Sequence, residues 1–135
     1  MFVPAYRRVD DTDPFVYFAC PTGDSALPIG TAANLTSGAL AKCAATTKPT
    51  HIVMGPPRVD GTCPAIPVTD NVVFETTSTA TIASTTVGSA VTLATDAATV
   101  TATTTSGVFK ILSTDGATTN STVRGVFVDP APAAG

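Results

Sequence analysis

The chain has 135 residues, 44% of them hydrophobic, but only 13% charged and with a formal net charge of −3. That length builds one domain with a modest core rather than two. The acidic balance, with Arg7-Arg8 as the one adjacent basic pair, argues against direct nucleic-acid binding, and no apolar run approaches the ~18 residues of a membrane span.

Residues 1–28 differ in composition from the rest of the chain. They hold both tyrosines (Tyr6, Tyr17), three of the six phenylalanines (Phe2, Phe15, Phe18) and the acidic run Asp10-Asp11-Thr12-Asp13. Pro4, Pro14, Pro21 and Pro28 interrupt any helix. The segment reads as an extended N-terminal arm, with Phe15–Ala19 its one strand-like run. Aromatic side chains in a segment too proline-broken to build its own core are interface anchors by type. Phe2, Tyr6, Phe15 and Tyr17 are therefore expected at an interface with a partner or a neighbouring copy, with Arg7 and Arg8 pairing with carboxylates there. The alternative is that Phe15–Ala19 is the first strand of the domain itself. No long apolar stretch opens the chain as in a secretory signal, so a cytoplasmic chain with three reduced thiols, Cys20, Cys43 and Cys63, is expected, with one disulfide plus a free thiol as the alternative.

From Ile29 to Val128 the pattern is β throughout. Thr36-Ser37-Gly38 is a hairpin turn between Ile29–Leu35 and Ala39–Cys43. A strand over Pro49–Met54 stops at Gly55-Pro56-Pro57, and Asp60-Gly61 turns a loop. Pro64 and Pro67 place Ala65–Val68 at an edge or bulge. Val72–Glu75 comes next, with a short helical turn near Ser78–Ala83. In VGSAVTLATDAATVTATTTSGVFKIL (87–112) the period is 2: Val91, Leu93, Val100 and Ile111 face in, as does Phe127 further on, while Thr92, Thr99, Thr101 and Thr103 face out. Asp96-Ala97-Ala98 turns between strands, and Thr122–Val128 is the last strand. About nine short strands without a helical period predict an all-β fold, a small antiparallel barrel or sandwich. The tail, residues 129–135, is proline-rich and extended.

Little in the chain looks catalytic. His51 sits inside a strand-like run without a partner base or nucleophile beside it. Cys43, His51 and Cys63 lack the paired spacing of a zinc site, and the acidic run lacks the glycine and glutamate of a calcium loop. No enzyme activity, cofactor or metal is expected.

The ordered set IGTAANLTSGALAKCAATTKPTHIVM, CPAIPVTDNVVFET, VGSAVTLATDAATVTATTTSGVFKIL and STVRGVF, spanning Ile29 to Phe127, resembles the capsid decoration, or head-stabilising, proteins of tailed bacteriophages. The segment before Ile29 and the tail after Val128 depart from that pattern. The resemblance implies a non-enzymatic virion protein, made in the host cytoplasm. It would bind the major capsid protein on the capsid exterior as a homo-oligomer, a trimer by preference, without nucleic acid or membrane. The other reading is a virion-displayed binding module, a head fibre or a host-surface or glycan-binding domain.

Overall fold

The computed structural model describes residues 1–7, 15–69 and 71–130. Among the described residues ten strands run in chain order: β1 (Val3–Arg7), β2 (Val16–Ala19), β3 (Ala32–Thr36), β4 (Ala39–Lys42), β5 (His51–Val53), β6 (Thr62–Pro67), β7 (Val72–Thr77), β8 (Ala90–Val91), β9 (Phe109–Thr114) and β10 (Thr122–Phe127). They form an open five-stranded antiparallel sheet, β1-β7-β10-β9-β8, and a small closed barrel, β2-β4-β3-β5-β6. The all-β class expected from the threonine-rich alternation is the class observed.

The β3–β4 hairpin shows the local rule at work. Ser37 and Gly38 both take positive φ, 53° and 80°, as a two-residue turn matched to strand twist requires. The register then runs from Thr36↔Ala39 to Ala33↔Lys42.

Two apolar clusters divide the interior. In β5 and β6 neighbouring residues serve different clusters: Ile52 and Ile66 join the larger, Val53 and Ala65 the smaller. The smaller cluster fills the barrel. The larger lies between the barrel's outer wall and the open sheet, where Val72, Phe74, Phe109, Ile111, Val123 and Phe127 point inward. Alternation along a pleated strand is what lets one wall serve both sides.

The expected inward set, Val91, Leu93, Val100, Ile111 and Phe127, is buried. Thr92 departs from expectation: it is buried as well. Its hydroxyl meets that of Thr101 at 2.7 Å, so the polar group enters without an unmet hydrogen bond. Leu93 and Val100 form only an isolated bridge, so residues 92–104 make a tight hairpin-like loop rather than two full strands. The helical turn falls at Ser84–Thr86, not at 78–83, because Ser78 bridges Val100. β6 is also not an edge: it pairs with both β2 and β5. Pro64 sits opposite Met54, just past the end of β5, and its carbonyl still accepts the Met54 N–H.

The arm is corrected most. β1 lies along β7 from Val3↔Glu75 to Arg7↔Val72, and β2 is a stave of the barrel. Residues 1–28 thus supply one strand to each sheet. Phe2 is wholly buried, with its ring centroid 5.0 Å from that of Phe127 and 5.4 Å from that of Phe109. It is a core residue of its own chain and not an interface anchor. Arg8 and the Asp10–Asp13 run lie outside the described residues, as does the tail beyond Pro130.

Candidate interaction surface

The outer face of β2 is the most distinctive exposed surface. Phe15 and Tyr17 are 55% and 48% exposed, while Val16 and Phe18 pack toward the barrel interior. Period-2 alternation puts the first two on the solvent side. Tyr17 is in register with Pro64 of β6, so proline and tyrosine share that face.

The loop between β5 and β6 completes it. Val59 stands fully exposed at its tip. The Arg58 guanidinium carbon lies 4.7 Å from the Tyr17 ring centroid, a cation–π contact. The loop is held by its own backbone: Arg58 N–H donates to Thr62 C=O at 2.7 Å, and Gly61 N–H to Arg58 C=O at 2.9 Å. Gly61 takes φ +82° there, a conformation glycine adopts without strain. Asp60 accepts from the Thr62 hydroxyl at 2.7 Å and from its N–H at 3.0 Å. Those bonds, the hydroxyl's first, hold the Asp60 carboxyl below the usual carboxylate range. Beside the loop, Thr22, Gly23 and Ala26 line an open concavity with Pro57–Gly61.

Cys20 and Cys63 are joined by a disulfide, and Cys43 is a buried free thiol. This overturns the expectation of three reduced thiols. The physical reason is register: Phe18 lies opposite Cys63 and Ala19 opposite Thr62, which brings the two Cα atoms to 6.0 Å, within bridging range. Burial pushes the Cys43 thiol up to about 11, and its Sγ lies 2.8 Å from the Thr47 carbonyl. Alkylation of unfolded protein without reductant should therefore add one label per chain. With folded protein, labelling should be slow at neutral pH and accelerate toward pH 11, as the thiolate forms. Three labels without reductant would reject the bridge.

Among the expected interface residues, Phe15 and Tyr17 come together on the barrel. Tyr6 is exposed but belongs to the open sheet, opposite Val73 on the edge strand β1. Arg7 ends that strand. Arg58 was missed as a partner of Tyr17, and Val59 as an exposed neighbour on the same loop. In the sequence they showed only as a loop closed by an Asp-Gly turn, and the separation of 41 positions between Tyr17 and Arg58 hides the contact.

His51 packs edge-on to Phe18 at 5.2 Å and lies 2.9 Å from the Thr50 hydroxyl. Burial lowers its pKa by disfavouring the charged imidazolium. Among the described residues no group of three His, Cys, Asp or Glu is placed to hold a metal, and no helix is long and apolar enough to cross a membrane.

Fold and surface together define an all-β protein with an aromatic and cationic face on a disulfide-braced barrel. No protein-family model, curated protein or solved structure matches the chain.

Proposed function

We propose that this chain is a non-enzymatic structural protein of a bacteriophage virion that decorates the capsid exterior and stabilises the shell through contact with the major capsid protein. The observation that carries the reading is the Phe15–Tyr17–Arg58 face: aromatic and arginine side chains brought together by one strand and one loop. Such side chains anchor interfaces because each buries much area at low entropic cost. A charge-poor, hydroxyl-rich surface suits a close contact without buried unpaired charge, and the sequence resemblance points the same way. A protein that binds only the assembled shell stabilises it by mass action, and a homo-oligomer would multiply the contacts.

Purified protein mixed with undecorated shells should saturate at lattice-wide copy number and raise their disruption temperature. Tyr17→Ser and Arg58→Ala should each weaken binding by roughly 2 kcal/mol, about thirtyfold, with unchanged circular dichroism. Undiminished binding by both variants would move the grip off this face, and wild-type protein that ignores shells would reject decoration.

The exposed aromatics beside Arg58 and Asp60 also favour the second reading, a module that binds host surface or glycan. That reading expects the same substitutions to abolish binding to host cells while shell binding persists.

A further inference from the structure

The Cys20–Cys63 bridge ties the end of β2 to β6, one residue past the thinnest join of the barrel, that of β2 with β4. β2 is held to β6 by four register pairs, Val16↔Ala65 through Ala19↔Thr62. It closes on β4 through one parallel pair, Ala19↔Ala39. Cys20 follows Ala19 directly and is tied to Cys63. Its N–H also donates to Gly61 C=O at 3.2 Å, so the same residue anchors the loop that carries Arg58. On the β4 side only that one pair is made, and Val16 and Phe18 of β2 pack inward against the barrel cluster. The barrel cluster is built of Leu27, Ala33, Leu40, Val53, Ala65 and Cys63, and its one aromatic ring, Phe18, is only partly buried. The open sheet, in contrast, packs four phenylalanine rings against one another.

We propose that Cys20 and Cys63 are a redox latch for the β2 face. In the reduced chain the seam opens, and β2 and the 57–61 loop lose their fixed geometry. Oxidation closes the seam and preorganises Phe15, Tyr17 and Arg58. The oxidant is a low-molecular-weight disulfide. The thiolate of Cys20, the less buried of the two, attacks one sulfur of that disulfide, forming a mixed disulfide and expelling one thiolate. The Cys63 thiolate then attacks the Cys20 sulfur, forming the protein bridge and expelling the second. Two protein thiols are oxidised, one small disulfide is reduced to two thiols, and the protons from Cys20 and Cys63 pass through solvent to the two thiolates released. Cys43 takes no part, since it is buried and the Cys20–Cys63 pair is complete without it. A chain made in a reducing compartment would carry the open face, and one outside it the closed face. The consequence for docking rests on the capsid reading above, but the opening itself does not.

Amide hydrogen exchange on the full chain separates the two. Reduced protein, and Cys20→Ser/Cys63→Ser without reductant, should exchange roughly a hundredfold faster than oxidised protein at residues 15–20 and 58–62. The strands β7, β9 and β10 should keep their protection, and Cys43→Ser should match the oxidised wild type throughout. Equal exchange in both redox states would overturn the latch. So would loss of protection across both sheets, which would make the bridge a global staple. In parallel, oxidised protein should bind undecorated shells at least tenfold more tightly than reduced protein. If exchange responds but neither form binds shells, the capsid reading fails and the latch stands.

Discussion

Phe2→Ala should lower the free energy of unfolding by about 3–5 kcal/mol, the usual cost of emptying a buried phenylalanine site. The ring is fully enclosed and tilts against Phe109 and Phe127, which themselves meet at 5.1 Å. Phe127 in turn packs on Phe74 at 5.4 Å. Removing one member of a four-ring cluster leaves a cavity whose walls belong to three strands, and those strands cannot collapse together. The loss is one of side-chain packing alone, since the Phe2 N–H that donates to Gly30 C=O at 2.9 Å is kept by alanine. Chemical denaturation of the purified variant measures the loss. A cost under about 1 kcal/mol would mean that the N-terminal ring is not part of the core. Deleting residues 1–13 is for the same reason not a clean test of a docking arm: it removes β1 and the Phe2 ring together, and instability should accompany any loss of binding.

Gly125→Ala should cost about 3 kcal/mol or more, by overpacking rather than by cavity. Gly125 lies in the middle of β10, between Phe74 of β7 and Ile111 of β9. A Cβ there would stand 2.1 Å from the Lys110 carbonyl oxygen and 2.8 Å from Phe109 Cε2. The first obstacle is main chain, so no rotamer change relieves it, and the register between β9 and β10 already shifts beside this residue. Thermal unfolding checks the expectation, with Gly116→Ala as a contrast: at Gly116 no atom lies within 4 Å of the added carbon, and the strain is one of φ alone, +67°. If Gly125→Ala proved as stable as wild type, the strand would have to have moved.

Much of this fold was legible in the chain itself. Alternation of apolar and hydroxyl residues identified β structure and chose the inward side of Val91, Leu93, Val100, Ile111 and Phe127, because the side-chain period of a strand is a local property. Ser37-Gly38 and Asp60-Gly61 marked turns for the same local reason. Phe15 and Tyr17 stood out in the sequence only as two aromatics of the N-terminal segment, and the pairing of β2 with β6 put both on one exposed face. The tertiary structure decided the rest. Phe2 and Tyr6 have similar composition around them, yet one fills the core and the other an edge, since burial depends on which strand lies alongside. Thr92 entered the interior because Thr101, nine residues away, met its hydroxyl. The disulfide and the Tyr17–Arg58 contact join residues 43 and 41 positions apart. Pairings at that separation are set by strand register between distant segments, and register is settled only when both cores close around it.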